Sequence, residues 1–334
     1  MTIKDLSAQT GYSVGTVSRV LNNQPNVSEK ARKVILEAAD ASGFQLNANA
    51  KQLKQSHSNA VLVVVKGTSN EMFSGLVETI QACMAETSYQ LMVDYIDENG
   101  NEVLRALQLC RERKPLGIVF LGGNRQHFQD SFRWIGVPCV LVTNDAEGLG
   151  FENLSSVSSD DVLAGRTAIE ELVSLGHRKI AVIGGDLETS DISRLRYQGC
   201  MEAFQAHGIP FDPEQDYESI RYSFEEGYRA AKRLLAKKRK FSAIFAASDV
   251  MAIGAIRALR DAGLRVPEDV SVMGFDGLAF GAYTVPTLST VRQNVDAMAR
   301  RSVQMLLENI QDRKSPRYET VPFDLELRES TRQN

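Results

Sequence analysis

Residues that could read the edges of base pairs stand close together near the start of the chain. Arg19 carries a planar fork of donors suited to a guanine, and Val14 an apolar tip suited to a thymine methyl. Both fall on one side of a helical pattern. Val17, Val20 and Leu21 make the apolar side, which leaves Val14, Gly15, Ser18 and Arg19 facing outward. Nothing in folding requires that outer face.

The elements that would hold these residues are two short helices and a tight turn. Thr2 can cap a first helix whose apolar positions are Ile3, Leu6 and Ala8, and Gly11 supplies the permissive backbone that ends it. Ser13 can cap the second. The pattern fits a helix-turn-helix whose second helix lies in a major groove; two surface helices of an ordinary domain would show it equally. A third helix is expected after its cap Ser28, with Ala31, Val34, Ile35 and Ala38 at core spacing and Gly43 at its end. The polar segment from Phe44 to Asn59 reads as a linker. Asn47 could cap one or two helical turns ending near Lys54, too short to be stable alone in water, so this segment would order only against a partner; a plain flexible tether is the other reading.

Composition frames the rest. With 334 residues, 43% of them hydrophobic, the chain can bury more than one core, and two or three domains are expected. The net charge of −4 hides an asymmetry: residues 1–58 carry seven Lys and Arg against four Asp and Glu, a net +3, so the remainder carries −7. A basic module on an acidic body suits a DNA-binder with a sensing domain. Cys83, Cys110, Cys139 and Cys200 are widely spaced, which points to buried free thiols rather than a zinc site or disulfide framework. No basic-then-apolar leader or membrane-length apolar run stands in the sequence, so a cytoplasmic protein with no membrane partner is expected.

From Ala60 onward, apolar runs of a few residues alternate with longer amphipathic stretches, the signature of βαβ units and parallel sheets. Expected strands are Val61 to Val65, Gln90 to Asp94, Gly117 to Leu121 and Cys139 to Val142, with helices such as Phe73 to Glu86 between them. A second series begins after Asp160, with strands Lys179 to Ile183, Ala243 to Ala246 and Val270 to Phe275. Its helices are expected near Ala164 to Leu175, Arg194 to His207, Phe224 to Ala236 and Asp249 to Asp261. Two such α/β units suggest a bilobed body with a ligand cleft outside the carboxyl ends of its strands.

Several phrases carry a specific resemblance. Thr2-Ile3-Lys4-Asp5-Leu6, Thr16-Val17-Ser18-Arg19-Val20-Leu21-Asn22 and Val27-Ser28-Glu29-Lys30-Ala31-Arg32 resemble the DNA-binding domain of the LacI/GalR family of bacterial repressors. The likeness continues through Leu175-Gly176-His177-Arg178-Lys179-Ile180, Arg196-Tyr197-Gln198-Gly199, Ser248-Asp249-Val250-Met251-Ala252, Val266-Pro267-Glu268-Asp269-Val270 and Thr287-Leu288-Ser289-Thr290-Val291, and so covers nearly the whole chain.

The resemblance implies an α/β fold with a three-helix helix-turn-helix domain (1–45), a hinge helix (46–58) and a bilobed periplasmic-binding-protein-like core of two parallel-sheet lobes. The first lobe would comprise 59–159 and 290–320, and the second 160–289 and 321–334. It also implies DNA contacts at Thr2, Ser13, Val14, Gly15, Thr16, Ser18, Arg19 and Asn22. In the hinge, Asn47, Ala50 and Leu53 would join them, with Leu53 as the apolar wedge in the minor groove. Leu46 stands where the family often has a proline, and Gly15 where it usually has a side chain that helps set specificity.

For an effector, the resemblance points to Phe73 and Tyr222 as stacking aromatics and to Thr143, Asn144 and Ser248 as ligand-facing polar groups. The family often has an Asp-Arg pair at the first two of those polar positions and an Asn at the third. Asp276, just past a strand, could accept two sugar hydroxyls, and Arg196 would bring donors to the same cleft. Without the resemblance, a surface ion-pair partner is the lesser reading of Arg196 and a simple cap that of Asp276, whereas Phe73, an aromatic on an amphipathic helix, would usually be core.

Catalytic readings find little. Gly122-Gly123 and Gly184-Gly185 lack the dinucleotide fingerprint, and His57, His127, His177 and His207 show no metal spacing, so no cofactor or metal is expected. Lys237-Lys238-Arg239-Lys240 reads as a solvated helix end. The expectation is a ligand-responsive repressor of carbohydrate or related catabolic genes. It would act as a homodimer on palindromic double-stranded operator DNA, with a sugar or nucleoside-like effector. A sugar carrier or sugar-handling enzyme of the same core fold is the competing class.

Overall fold

The computed structural model describes residues 3–21, 25, 27–42, 58–67, 70–237, 240–312 and 314–334, with the side chains of Ile3 and Lys4 excepted. Thr2, Asn22, Gly43, Asn47, Ala50, Leu53, Lys238 and Arg239 lie outside the described residues, and with them the expected hinge helix. The chain divides into two compact units, Met1–Ser58 and Asn59–Asn334.

In the first unit, α1 (Ile3–Thr10), α2 (Val14–Leu21) and α3 (Glu29–Ala41) enclose a small core. Leu6, Val17, Val20, Ala31, Ile35 and Ala39 are its buried members. Two expected core positions are corrected: Ala8 and Val34 face solvent, while Ala39 is buried. In a 3.6-residue period Ile35 and Ala39 lie on the stripe that meets the other helices, and Val34 is rotated off it. Gly11 takes φ +72°, the left-handed conformation that turns the chain from α1 toward α2.

The second unit holds two six-stranded sheets. The first runs β11 (Tyr318–Thr320), β5 (Leu154–Ser158), β4 (Cys139–Val142), β3 (Gly117–Leu121), β1 (Ala60–Lys66), β2 (Gln90–Ile96), all parallel. The second runs β12 (Phe323–Glu326), β10 (Ser289–Gln293), β9 (Ser271–Asp276), β8 (Ala243–Ala246), β6 (Ile180–Gly184), β7 (Tyr217–Ser219). It is parallel except where β12 pairs antiparallel with β10 along its edge. Each sheet is covered on both faces. In β1, Val61, Val63 and Val65 pack into one apolar layer with helices Glu71–Ala85 and Val295–Asp312, and Leu62 and Val64 into the opposite one. That double burial explains the unbroken apolar run of β1.

One expected boundary moves. Ser289–Gln293 is a strand of the second sheet, so the chain crosses back to the first lobe after Gln293 rather than at residue 290. Its parallel pairing with β9 and antiparallel pairing with β12 hold it there. Cys139 and Cys200 are buried free thiols, whereas Cys83 and Cys110 are only half-buried. Lys237 pairs with Glu218 at 2.7 Å, so the start of that cationic run is tied down rather than simply solvated. Among the described residues, no helix is long and apolar enough to cross a membrane.

Candidate functional site

In the helix-turn-helix unit, the Ser13 hydroxyl accepts the backbone N–H of Thr16 at 3.2 Å, capping α2 and fixing where its first turn points. Burial of Val17 and Val20 then turns Val14, Gly15 and Arg19 outward, with Val14 45% exposed. Thr16 and Ser18 are half-buried on the flanks. At Gly15 a Cβ would meet nothing nearer than the Ser13 hydroxyl at 3.8 Å, so this part of the helix presents bare backbone.

Between the two lobes lies a cavity of about 670 Å³, a size typical of small-molecule sites. Phe73, Thr143, Asn144, Arg196, Tyr222 and Asp276 line it, and Ser248 does not. Ser248 is buried instead, at the start of helix Asp249–Asp261, with a hydroxyl that has no hydrogen-bond partner.

The floor of the cavity is an arginine between two carboxylates. Arg196 Nε donates to Asp161 at 2.7 Å and Nη1 to the carbonyl of Ala247 at 2.7 Å, and Nη1 lies 3.8 Å from Asp276. Its guanidinium also sits 3.6 Å from the centroid of Phe275, a cation–π geometry. This is no surface ion pair: the Arg196 side chain is only 5% exposed. Two glycines make the arrangement possible. A Cβ on Gly199 would stand 2.0 Å from the Val162 carbonyl oxygen, and one on Gly165 would stand 2.4 Å from that of Arg196. Helices Asp161–Ser174 and Asp191–Ala206 therefore cross at backbone contact, which brings Asp161 to Arg196.

Asp276 ends β9 at φ +110°, a backbone that a non-glycine residue adopts at a cost, and Gly277 follows at φ +74°. Gln293 Nε2 donates to its Oδ1 at 2.9 Å, so a residue of β10 orients the carboxylate. Burial pushes Asp276 up to about 6, against the pull of Arg196 and Gln293. Burial also raises Asp161, opposed by Arg196. Burial and then the nearby Asp276 charge push Asp249 up to about 8; it accepts Thr290 Oγ1 at 2.7 Å and the Leu278 N–H at 2.6 Å. Its role is to pin the loop after β9.

Thr143, at φ +77°, and Asn144 hold a similar place in the first lobe, at the end of β4. Thr143 Oγ1 donates to Asn144 Oδ1 at 3.3 Å, and Asn144 Nδ2 to the Gly123 carbonyl at 3.1 Å. The aromatics differ. Tyr222 covers Gly185 and shares a hydrogen bond with Ser193 at 2.9 Å. Phe73 is both core and wall: it is 6% exposed and packs on Gly122, where a Cβ would come within 3.0 Å of its ring.

Sequence reasoning missed Lys66, His127, Asn124, Arg221 and Glu98, which also line the cavity, and Gln293, which braces Asp276. Lys66 ending an otherwise apolar strand was the one signal available. The lobes are tied around the cavity by Arg221 with Asp97 and Glu98, by Asn124 Nδ2 to the Thr189 carbonyl at 2.9 Å, and by the Arg125 N–H to Asp191 at 2.8 Å.

Comparison with known proteins follows this division of labour. The model for bacterial regulatory proteins of the lacI family matches residues 2–47, and a periplasmic binding protein-like domain matches residues 169–331. The chain is 35% identical over 315 residues, 93% of each sequence, to the HTH-type transcriptional regulator MalR of Clostridium butyricum. It is 32% identical over 320 residues, 93% of this chain and 92% of the other, to the probable HTH-type transcriptional repressor ExuR of Bacillus subtilis (strain 168). Among solved structures, the transcriptional regulator CelR in complex with cellobiose aligns with a TM-score of 0.72 at 28% identity, over 99% of both chains.

Proposed function

Since the chain belongs to the lacI family of bacterial regulatory proteins, we propose that it is a repressor of carbohydrate-catabolic genes whose operator affinity is set by a sugar held between its lobes. The observation that carries this reading is the cavity floor. Asp276, braced by Gln293 and set beside a buried Arg196–Asp161 pair, presents a carboxylate where hydroxyls can bond, with Phe73 and Tyr222 supplying apolar ring faces. A solved relative holds cellobiose. The relatives are regulators rather than enzymes, which favours this reading over a sugar-handling enzyme.

On the DNA side, α2 would enter the major groove of a palindromic operator, with Arg19 bonding a guanine and Val14 meeting a thymine methyl. Thr2, Ser13, Gly15, Thr16, Ser18 and Asn22 would support it, and Asn47, Ala50 and Leu53 would form the hinge contact. Two copies would pair through apolar residues left open to solvent. Val93 and Tyr95 on the edge strand β2 are 38% and 50% exposed, and Tyr283 and Val285 are 85% and 72% exposed. Effector binding would bias the lobe closure that the Arg221 and Arg125 contacts hold, and through it the pairing of the hinges on DNA.

The test is thermal unfolding of the parent and of Asp276→Ala against a set of sugars and other metabolites, coupled to operator binding. An effector should raise the unfolding temperature of the parent only, and should change its operator affinity. Equal stabilisation of both proteins would place the ligand elsewhere.

A further inference from the structure

The first lobe carries a second polar cluster that the Asp276 floor does not use. Glu102, at the start of helix Glu102–Arg113, is wholly buried, yet its carboxylate accepts three donors. These are Lys66 Nζ at 2.5 Å, His127 Nδ1 at 3.0 Å and the Asn124 N–H at 2.7 Å. Lys66 also donates to the Gly100 carbonyl at 2.5 Å. Lys66 and His127 line the cavity and keep 13% and 25% of their side-chain surface, while Glu102 keeps none. Burying a carboxylate is costly unless its lone pairs are filled. What the cost secures here is direction: one buried group aims two side chains along the same wall.

Counting valences shows what that wall offers. An ammonium has three N–H groups; Lys66 spends two of them on Glu102 and Gly100, and one is left over. A carboxylate paired with an ammonium only accepts, so the ring hydrogen of His127 that faces it sits on Nδ1. In the uncharged ring Nε2 then carries a lone pair. With that ring uncharged, the wall presents one donor beside one acceptor. Two adjacent hydroxyls complement that pair, one oxygen accepting from Lys66 and the other O–H donating to His127. A ligand carboxylate or phosphate would set acceptors against the Nε2 lone pair. It would also enter a cavity whose walls carry the carboxylates Asp276, Glu98, Asp186 and Glu226 against Lys66, Arg196 and Arg221, the two arginines already engaged with carboxylates.

We propose that Lys66 and His127, oriented by Glu102, form a subsite for two adjacent hydroxyls of an uncharged sugar, and so select neutral over acidic sugars. This rests on the cleft reading above.

The test is calorimetric titration of the full chain with ribose, maltose and cellobiose, and with glucuronate and glucose 6-phosphate as charged arms. His127→Phe is the main variant, because Glu102 keeps Lys66 and Asn124 as donors when the imidazole is gone; Lys66→Met and Asp276→Ala accompany it. At least one neutral sugar should bind the parent, more tightly than either acidic one. His127→Phe should weaken it about tenfold, the scale of one lost hydrogen bond, while the unliganded variant still folds. A deoxy analogue lacking the hydroxyl that faces His127 should bind the parent as weakly, and lose nothing further in the variant. Three results overturn the proposal: preference for an acidic sugar, no binding of any neutral one, or parent-like affinity in both His127→Phe and Lys66→Met. Asp276→Ala separates the two levels. Should it abolish binding where His127→Phe and Lys66→Met both bind like the parent, the cleft stands and the subsite falls; should it too bind like the parent, the cleft reading falls.

Discussion

Replacing Arg196 by Met tests the centre of the second unit. Methionine keeps the apolar contact with Phe275 but removes both charge-assisted donors, leaving Asp161 and Asp276 buried at 4% and 3% exposure without their cation. Breaking a buried ion pair by removing one partner costs about 3–5 kcal/mol, because the remaining charge has no water to return to. For a unit of this size each kcal/mol moves the unfolding temperature by roughly 2–4 °C, so a fall of about 10 °C is expected. Calorimetry on the full chain would measure it. Asp161→Asn in the Arg196→Met background should recover about 1–2 kcal/mol, since a neutral amide is easier to bury than an unpaired carboxylate. The pH dependence has a definite sign. Burial already raises Asp161 and Asp276, and Arg196 opposes it; without Arg196 both rise further. A native group that binds protons more tightly than its unfolded counterpart adds stability as the pH falls. The deficit against the parent should therefore shrink between pH 7 and pH 5. A loss below about 1 kcal/mol, or strict additivity of the two substitutions, would refute the ion-pair argument.

Three further outcomes are expected. Arg19→Ala should cost operator binding about 1–3 kcal/mol and relax one base preference; an unchanged profile across a randomised duplex library would remove Arg19 from the readout. With Asp276 titrating near pH 6, effector affinity should decline as the pH falls through about 6, because a protonated carboxyl no longer accepts two hydroxyls, and Asp276→Asn should flatten the profile. By the same raised value, the stability this carboxyl adds to the unliganded fold is lost as pH rises through about 6; titrations with unchanged slopes would contradict both statements. Gly199→Ala places a methyl 2.0 Å from the Val162 carbonyl oxygen, so it should cost about 1–3 kcal/mol despite alanine's better helix propensity. It should also weaken the effector by shifting Asp161 from Arg196, and a variant matching the parent in unfolding temperature and ligand titration would refute that.

What local pattern could specify was legible in the chain. The apolar stripe of Val17 and Val20 placed Arg19 outward, and the apolar runs marked β1, β3, β4 and β8, because a face or strand that must be buried writes its period into neighbouring residues. The resemblance named the cleft residues Asp276, Arg196 and Tyr222. Strand β5 escaped notice because Ser155 and Ser156 are buried on hydrogen bonds from Asn309 and Ala146 rather than on apolar contact. Such partners come from distant elements. The same holds for Glu102, which lies 36 residues from Lys66 and 25 from His127. Arg196 meets Asp161 only because two glycines let their helices touch, and Gln293 reaches Asp276 only because β10 pairs with β9. Periodicity reports what each segment buries. Which segments then stand side by side is decided by strand order and by the distance at which helices can cross, and only the folded chain holds that information.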